Sequence, residues 1–243
     1  MKPLLVLAAF PVVLMGWASC SHSGTGHAAL PDPRAVDKSV PEYKNPFHPS
    51  TYAHFVARKD YRKTYDVYKD DTLLNRQPKK SRKIFVCLDE QRGQYLVDGL
   101  VAMDFPLSSG VKAYPTKTGD YAVISKKEDH TSNLYGKMYD AEGKCINYNA
   151  ESTDPIPEGG RFDGSPMPYW QRLTNAGLGL HVAKVRRHPV SHGCVRLPRN
   201  VAEILYRQTS IGTPVTIQKT PLPVPEAQKI PPAQQQESEG RKQ

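Results

Sequence analysis

The sequence predicts a mostly-β domain with one or two short helices, spanning residues 82–218 between flexible N- and C-terminal tails. Three observations lead there. Between Lys83 and Lys219, runs rich in β-branched and aromatic residues alternate with Gly, Pro, Asn and Asp punctuation. Within that interval only VAEILYRQ, Val201 to Gln208, has the composition of a helix. The 22 prolines concentrate outside the middle of the chain, and 38% apolar content is low for a fully packed chain. A length of 243 residues suits one ordinary domain plus tails.

The N-terminal end has the features of a targeting segment. Lys2 precedes an apolar stretch from Pro3 to Trp17 that is too short for a comfortable membrane span, and small residues follow. Residues 1–19 are therefore read as a signal peptide. Ala18-Ser19-Cys20 resembles the lipobox of bacterial lipoproteins, which implies acylation of Cys20 and a stable membrane anchor. Trp17 stands where an aliphatic residue is usual, and an ordinary signal peptide is the alternative. Export to the cell envelope follows from either. With Ser21, and not Asp, after Cys20, a Gram-negative cell would sort the chain to the inner leaflet of the outer membrane.

Residues 20–45, rich in Gly, Ser, His, Pro and charge, suit a flexible tether. In residues 46–81, Tyr52, Phe55, Tyr61, Tyr65 and Tyr68 recur among charges, which suits a partly helical extension or an arm leaning on the domain. KIFVCLD and QYLVDG then form a hairpin, LVAMDFPLSSG continues the meander, and PTKTGDYAVISK turns into a further strand. Residues 133–164 suit a long loop or hairpin insertion over one face, the kind of segment that acts as a lid. MPYWQRL and GLGLHVA resume strand patterns. Asn200 with Glu203 forms a possible capping box before the helix, and GTPVTIQ is the last strand. The Pro/Gln-rich residues 219–243 cannot build a core and are expected to be disordered.

The balance of 33 basic against 24 acidic residues gives a formal charge of +9. That surplus suits an anionic surface, but the short clusters around Lys79 and Lys184 carry no nucleic-acid motif, so no nucleic-acid partner is expected. Beyond Cys20 the cysteines are Cys87, Cys145 and Cys194. In an exported chain either all three stay reduced or Cys87 pairs with Cys145, and both leave Cys194 free.

Cys194 lies in VSHGCVRLP, with His192 two residues before it and His181 at the end of GLGLH. A thiol of ordinary pKa near 8.5 needs a base to become a nucleophile at neutral pH, and a nearby imidazole can take the proton and return it to a leaving amine. His181, presented from a neighbouring strand, is the favoured base, with His192 as the other candidate. Gly193 suggests a tight turn whose backbone N–H groups, with that of Cys194, would converge on an oxyanion. Arg196 offers a planar fork for a substrate carboxylate. A zinc site is disfavoured, because these residues supply at most three ligands. Ser191, Tyr169 and Trp170 are candidates for the substrate groove, although strand aromatics also pack cores.

The stretch MPYWQRLTNAGLGLHVAKVRRHPVSHGCVRLP closely resembles the catalytic region of the YkuD-type L,D-transpeptidase family. The resemblance extends upstream through YPTKTGDYAVISK and HTSNLYG, covering roughly residues 83–218. It implies a β-sandwich or barrel-like catalytic domain with Cys194 as nucleophile and His181 as proton donor and acceptor. His192 and Gly193 would support the site, and His130 and Tyr135 would shape it. Neither metal nor cofactor is implied. The implied partners are peptidoglycan stem peptides: the thiolate attacks the carbonyl of the third residue, commonly meso-diaminopimelate, and expels D-Ala. An amine of a second stem then resolves the thioester into a 3–3 cross-link. Val182 departs from the small residue usual after the histidine, which would narrow the site or turn His181. The same residues also allow a weakly active wall-tethering lipoprotein. With another acceptor they allow an L,D-carboxypeptidase, or an enzyme attaching proteins to the wall or releasing them.

Overall fold

The computed structural model describes residues 30–76 and 81–229. The signal peptide, Cys20 and the end of the C-terminal tail lie outside the described residues. No helix among the described residues is long and apolar enough to cross a membrane.

The chain enters through α1 (Tyr52–Ala57), β1 (Tyr68–Lys69) and α2 (Asp71–Asn75). Thr51 caps α1 by accepting from the His54 N–H, and Asp70 caps α2 by accepting from Leu73, as side-chain oxygens do at helix starts. The meander follows as β2 (Arg82–Cys87), β3 (Arg92–Val97) and β4 (Leu100–Pro106), with β3 and β4 joined at Asp98-Gly99. Next come β5 (Gly119–Ala122), β6 (Ser125–Lys127), β7 (Thr131–Tyr139), β8 (Cys145–Glu151) and β9 (Arg161–Pro166). The last third supplies β10 (Trp170–Arg172), β11 (Gly179–Val182), β12 (Val195–Leu197), α3 (Arg199–Gln208) and β13 (Pro214–Gln218).

Three sheets result. A six-stranded sheet runs β1-β4-β3-β2-β13-β5, a four-stranded one β12-β11-β10-β6, and a three-stranded one β8-β7-β9. β2 and β3 are buried along nearly their whole length, as expected of central strands covered on both faces. On one face Ile84, Val86, Tyr95 and Phe105 pack with Leu180 and Val195 of the four-stranded sheet and with Val201 and Leu205 of α3. On the other, Val101 packs with Tyr52, Phe55, Val56 and Tyr61.

That second face corrects two expectations. The described part of the tether is packed: Arg34 donates to both oxygens of Glu90 at 2.8 Å and to the Leu222 carbonyl, and Lys38 donates to Val56 O. The start of the C-terminal tail is packed as well. Val224 is buried, and the Gln228 side chain satisfies both the N–H and the C=O of Val101. Hydrogen bonds to backbone groups, invisible in composition, hold these polar segments in place. The capping box is a further correction: α3 starts after Pro198 with no side-chain cap, and Glu203 reaches Arg199 and Arg207. Residues 133–164, expected as a loop or hairpin insertion, lie within the span of the three-stranded sheet.

Candidate active site

The register of the four-stranded sheet sets the site. Gln171 pairs with Leu180, Leu180 with Val195, and Trp170 with Lys127. Paired residues share a face and alternate residues along a strand return to it. Extending these registers by one residue places Lys127, Trp170, His181 and Arg196 on one rung across the sheet. The next rung holds Ser125, Arg172, Gly179 and Cys194. Thiol and imidazole thus stand on adjacent strands of one face.

This face is the floor of a cleft of about 500 Å³, lined by Cys194, His181, Trp170, Arg172 and Arg196. His130, just before β7, and Leu134 and Tyr135 within it also line the cleft. Within it the Cys194 thiol donates to Gly177 O at 3.2 Å. Burial pushes its pKa up, while the Gly179 N–H and the Arg196 charge pull the other way. His181 is 6% exposed and its Nδ1 lies 3.0 Å from Val182 O. Desolvation lowers its pKa to about 4. A neutral ring donating from Nδ1 leaves Nε2 as the proton acceptor. Val182 itself packs against the core and is not part of the cleft lining, and its carbonyl orients the His181 ring.

The SHGC turn is held from beneath. Gly193 has φ +111, a conformation L side chains rarely adopt. Thr116 donates to Gly193 O at 2.6 Å and accepts from the Gly110 N–H. Behind His181, the segment leading to the turn is fixed through Ser108, whose hydroxyl accepts from the N–H groups of Arg186 and Arg187. The Arg187 guanidinium donates to the carbonyls of Tyr61, Thr64 and Glu90. Thr116, Ser108 and Arg187 escaped the sequence reading because their bonds run to backbone groups distant in sequence. Thr116 does lie in the quoted PTKTG stretch.

Several candidates are placed differently from expectation. Tyr169 packs edge-on against Tyr206, with Arg199 over its ring, on the α3 side and outside the cleft lining. Trp170 does line the cleft, yet it is buried, its ring lying 5.1 Å from His130 and 6.1 Å from His181. Ser191 borders the cleft but spends its hydroxyl within the turn, donating to Cys194 O at 2.5 Å and accepting from the Gly193 N–H at 3.2 Å. The Gly193 amide is therefore engaged rather than free for an oxyanion. His192 is exposed and stacks on Tyr135 at 4.3 Å, with Tyr114 at 4.8 Å, which ties the turn to β7.

The three described cysteines are free. Cys87 lies buried in β2, its thiol directed at Lys219 O and its pKa pushed up to about 11 by burial, whereas Cys145 lies in β8 of a different sheet. Among the described residues no group of three or more His, Cys, Asp or Glu could hold a metal ion.

A mostly-β domain presenting a free thiol, a neutral buried imidazole and an arginine on one sheet face has the parts for acyl transfer through sulfur. Residues 81–217 match the model of the YkuD L,D-transpeptidase catalytic domain, and the chain belongs to this family. L,D-transpeptidases of this family act on peptidoglycan peptide stems. A probable L,D-transpeptidase 3 of Mycobacterium tuberculosis is 32% identical over 121 residues, which is 47% of this chain and 38% of that one. Among solved structures, an L,D-transpeptidase from Mycobacterium smegmatis has a TM-score of 0.43 at 23% identity, covering 56% of this chain and 58% of its own. One from Enterococcus faecium has 0.42 at 28% identity, covering 57% and 50%. The matches thus span less than two thirds of each of these relatives.

Proposed function

We propose that this chain is a peptidoglycan L,D-transpeptidase using Cys194 as nucleophile and His181 as proton shuttle. The observation that carries the reading is the pairing of a cleft-facing thiol with an imidazole whose Nδ1 is committed to Val182 O. Rotation of Cys194 away from Gly177 O brings Sγ towards Nε2. As sulfur attacks the third-residue carbonyl of a tetrapeptide stem, its proton passes to Nε2 and the C=O electron pair moves onto oxygen. Collapse breaks the C–N bond, Nε2 returns the proton to the departing D-Ala amine, and a thioester remains. A second stem's amine then forms the new C–N bond and the C–S electron pair returns to sulfur. The amine's proton passes through Nε2 back to the thiolate. The Cys194 N–H is the expected oxyanion donor, and Arg196, two residues along β12, the carboxylate partner of the leaving residue. No step needs a cofactor.

Cleavage after residue 19, acylation of Cys20 and residence in the cell envelope belong to the same reading, supported by the apolar N-terminal stretch and its small-residue end. Replacing Cys20 by Ala should move the chain from salt-washed membranes to the soluble fraction; a variant that still sediments would contradict the anchor. For the chemistry, the chain is incubated with tetrapeptide muropeptides and the products weighed. Cross-linked dimers support transpeptidation, shortened monomers indicate water as acceptor, and bound but unchanged peptide indicates a tether.

A further inference from the structure

Arg172 and Lys127 lie on the cleft-facing side of the four-stranded sheet and have no part in the account so far. Neither makes an ion pair or a side-chain hydrogen bond among the described residues, although Arg172 is half-buried. Three other sheltered arginines are engaged, Arg34 with Glu90, Arg92 with Asp104 and Arg187 with three carbonyls, whereas Arg196 beside the thiol is open like Arg172 and is assigned a carboxylate above. A sheltered guanidinium without a partner has given up water and gained nothing, unless a ligand completes it.

Both cations border a second hollow of about 430 Å³ that shares Trp170, His130 and Arg172 with the main cleft. His130 feels both of them, since Lys127 and Arg172 each lower its pKa in addition to desolvation. The distance from the sulfur decides what they can hold. Arg172 and Cys194 share a rung with Gly179 between them, two strand spacings or about 10 Å between Cα atoms. Arg196 is the arginine that Cys194 feels electrostatically. A carboxylate on the carbon next to the reacting amine falls within reach of Arg196. Arg172 stands too far back for that group. It suits one attached to the acyl residue through a chain of several atoms.

We infer that Arg172, with Lys127, forms a second anion subsite that holds the carboxylate at the far end of the side chain of the residue whose carbonyl Cys194 attacks. This rests on the acyl-transfer reading. In diaminopimelate that carboxyl carbon is six carbon–carbon bonds of about 1.5 Å from the attacked carbonyl, about 7–8 Å when extended. Trp170 and the side-chain-free Gly179 lie along the path; a Cβ at Gly179 would sit 2.4 Å from the indole. The ligand class is therefore a stem peptide whose third residue ends in a free carboxylate, and amidation of that group removes the charge the subsite reads.

The test measures thioester formation by intact mass on the full-length chain, without acceptor. Three tetrapeptides are compared, with meso-diaminopimelate, its side-chain amide or L-lysine at the third position. The native chain should prefer the free acid by on the order of 10–100-fold in kcat/KM. Arg172→Gln should bring the acid-to-amide ratio to within about threefold, Arg172→Lys should keep an intermediate ratio, and Lys127→Met should cost a few-fold. A ratio cancels any general loss in a variant. An undiminished ratio in Arg172→Gln overturns the subsite alone. So does a native ratio near one. A chain that forms thioester with none of the peptides refutes acyl transfer and the subsite together.

Discussion

His181 titrates near 4 in the fold, because burial disfavours its charge, and near 6.5 when unfolded. The unfolded chain therefore takes up this proton first. Stability from this group is complete above about pH 6.5 and falls as the pH drops towards 4, by about 3 kcal/mol in all. Urea unfolding should show the native chain losing about 3 kcal/mol more over that window than His181→Gln; equal losses would mean that the ring is not held neutral by burial. The proposed acyl transfer would gain from the same shift, since an imidazole that stays unprotonated down to mildly acidic pH remains ready for the Cys194 proton. Cys194, His181 and Arg196 were legible as residues because thiol, imidazole and guanidinium have distinctive chemistry within a short motif. The environment of each was not. That His181 donates to its own neighbour's carbonyl, and that Ser191 closes the turn internally, depend on backbone directions that a string of letters does not contain.

The segment between β11 and β12 carries the chain from His181 to Cys194, and its placement depends on the N-terminal arm. Arg187, at φ +57, donates to the carbonyls of Tyr61, Thr64 and Glu90, while Arg92 beside it donates to Thr64 and Asp66 and pairs with Asp104. Tyr52 and Tyr61 donate to the other Asp104 oxygen. Arg187→Ala leaves the Tyr61 and Glu90 carbonyls without their donor, while Thr64 O keeps Arg92, and should cost about 2–3 kcal/mol by urea unfolding. Thioester formation should fall too, and Arg187→Lys should recover only part of both losses, because one ammonium cannot reach all three carbonyls. Native stability and rate in Arg187→Ala would show that the arm does not brace the site. The strands of the domain were legible from β-branched runs and turn residues. The arm's role was not, since its aromatics recur without the regular period of a helix or strand and their partners lie in β3, β4 and the segment before the SHGC turn.

Across the whole molecule, one face of the six-stranded sheet bears the arm and the start of the C-terminal segment, and the other shares its core with the four-stranded sheet and α3. Residues 81–217 are the family's portion of the chain but do not include Arg34, Tyr52, Tyr61 or Gln228, which satisfy buried groups within it. The expected domain boundaries followed composition, whereas the packing follows hydrogen bonds that polar segments make with the sheet. The mostly-β class and the family were readable because periodicity and the SHGC motif are local signals. The cluster of His192 with Tyr114 and Tyr135 was not, because it joins three separate segments. The central claim, that this scaffold exists to acylate Cys194, is tested most directly by exposing the full-length chain to a carbapenem and recording intact mass and peptide maps. A single adduct on the peptide containing SHGC is expected, absent in Cys194→Ala and formed roughly 10²–10⁴-fold more slowly in His181→Ala. Undiminished labelling of Cys194→Ala, or an adduct on Cys87 or Cys145 alone, would contradict it.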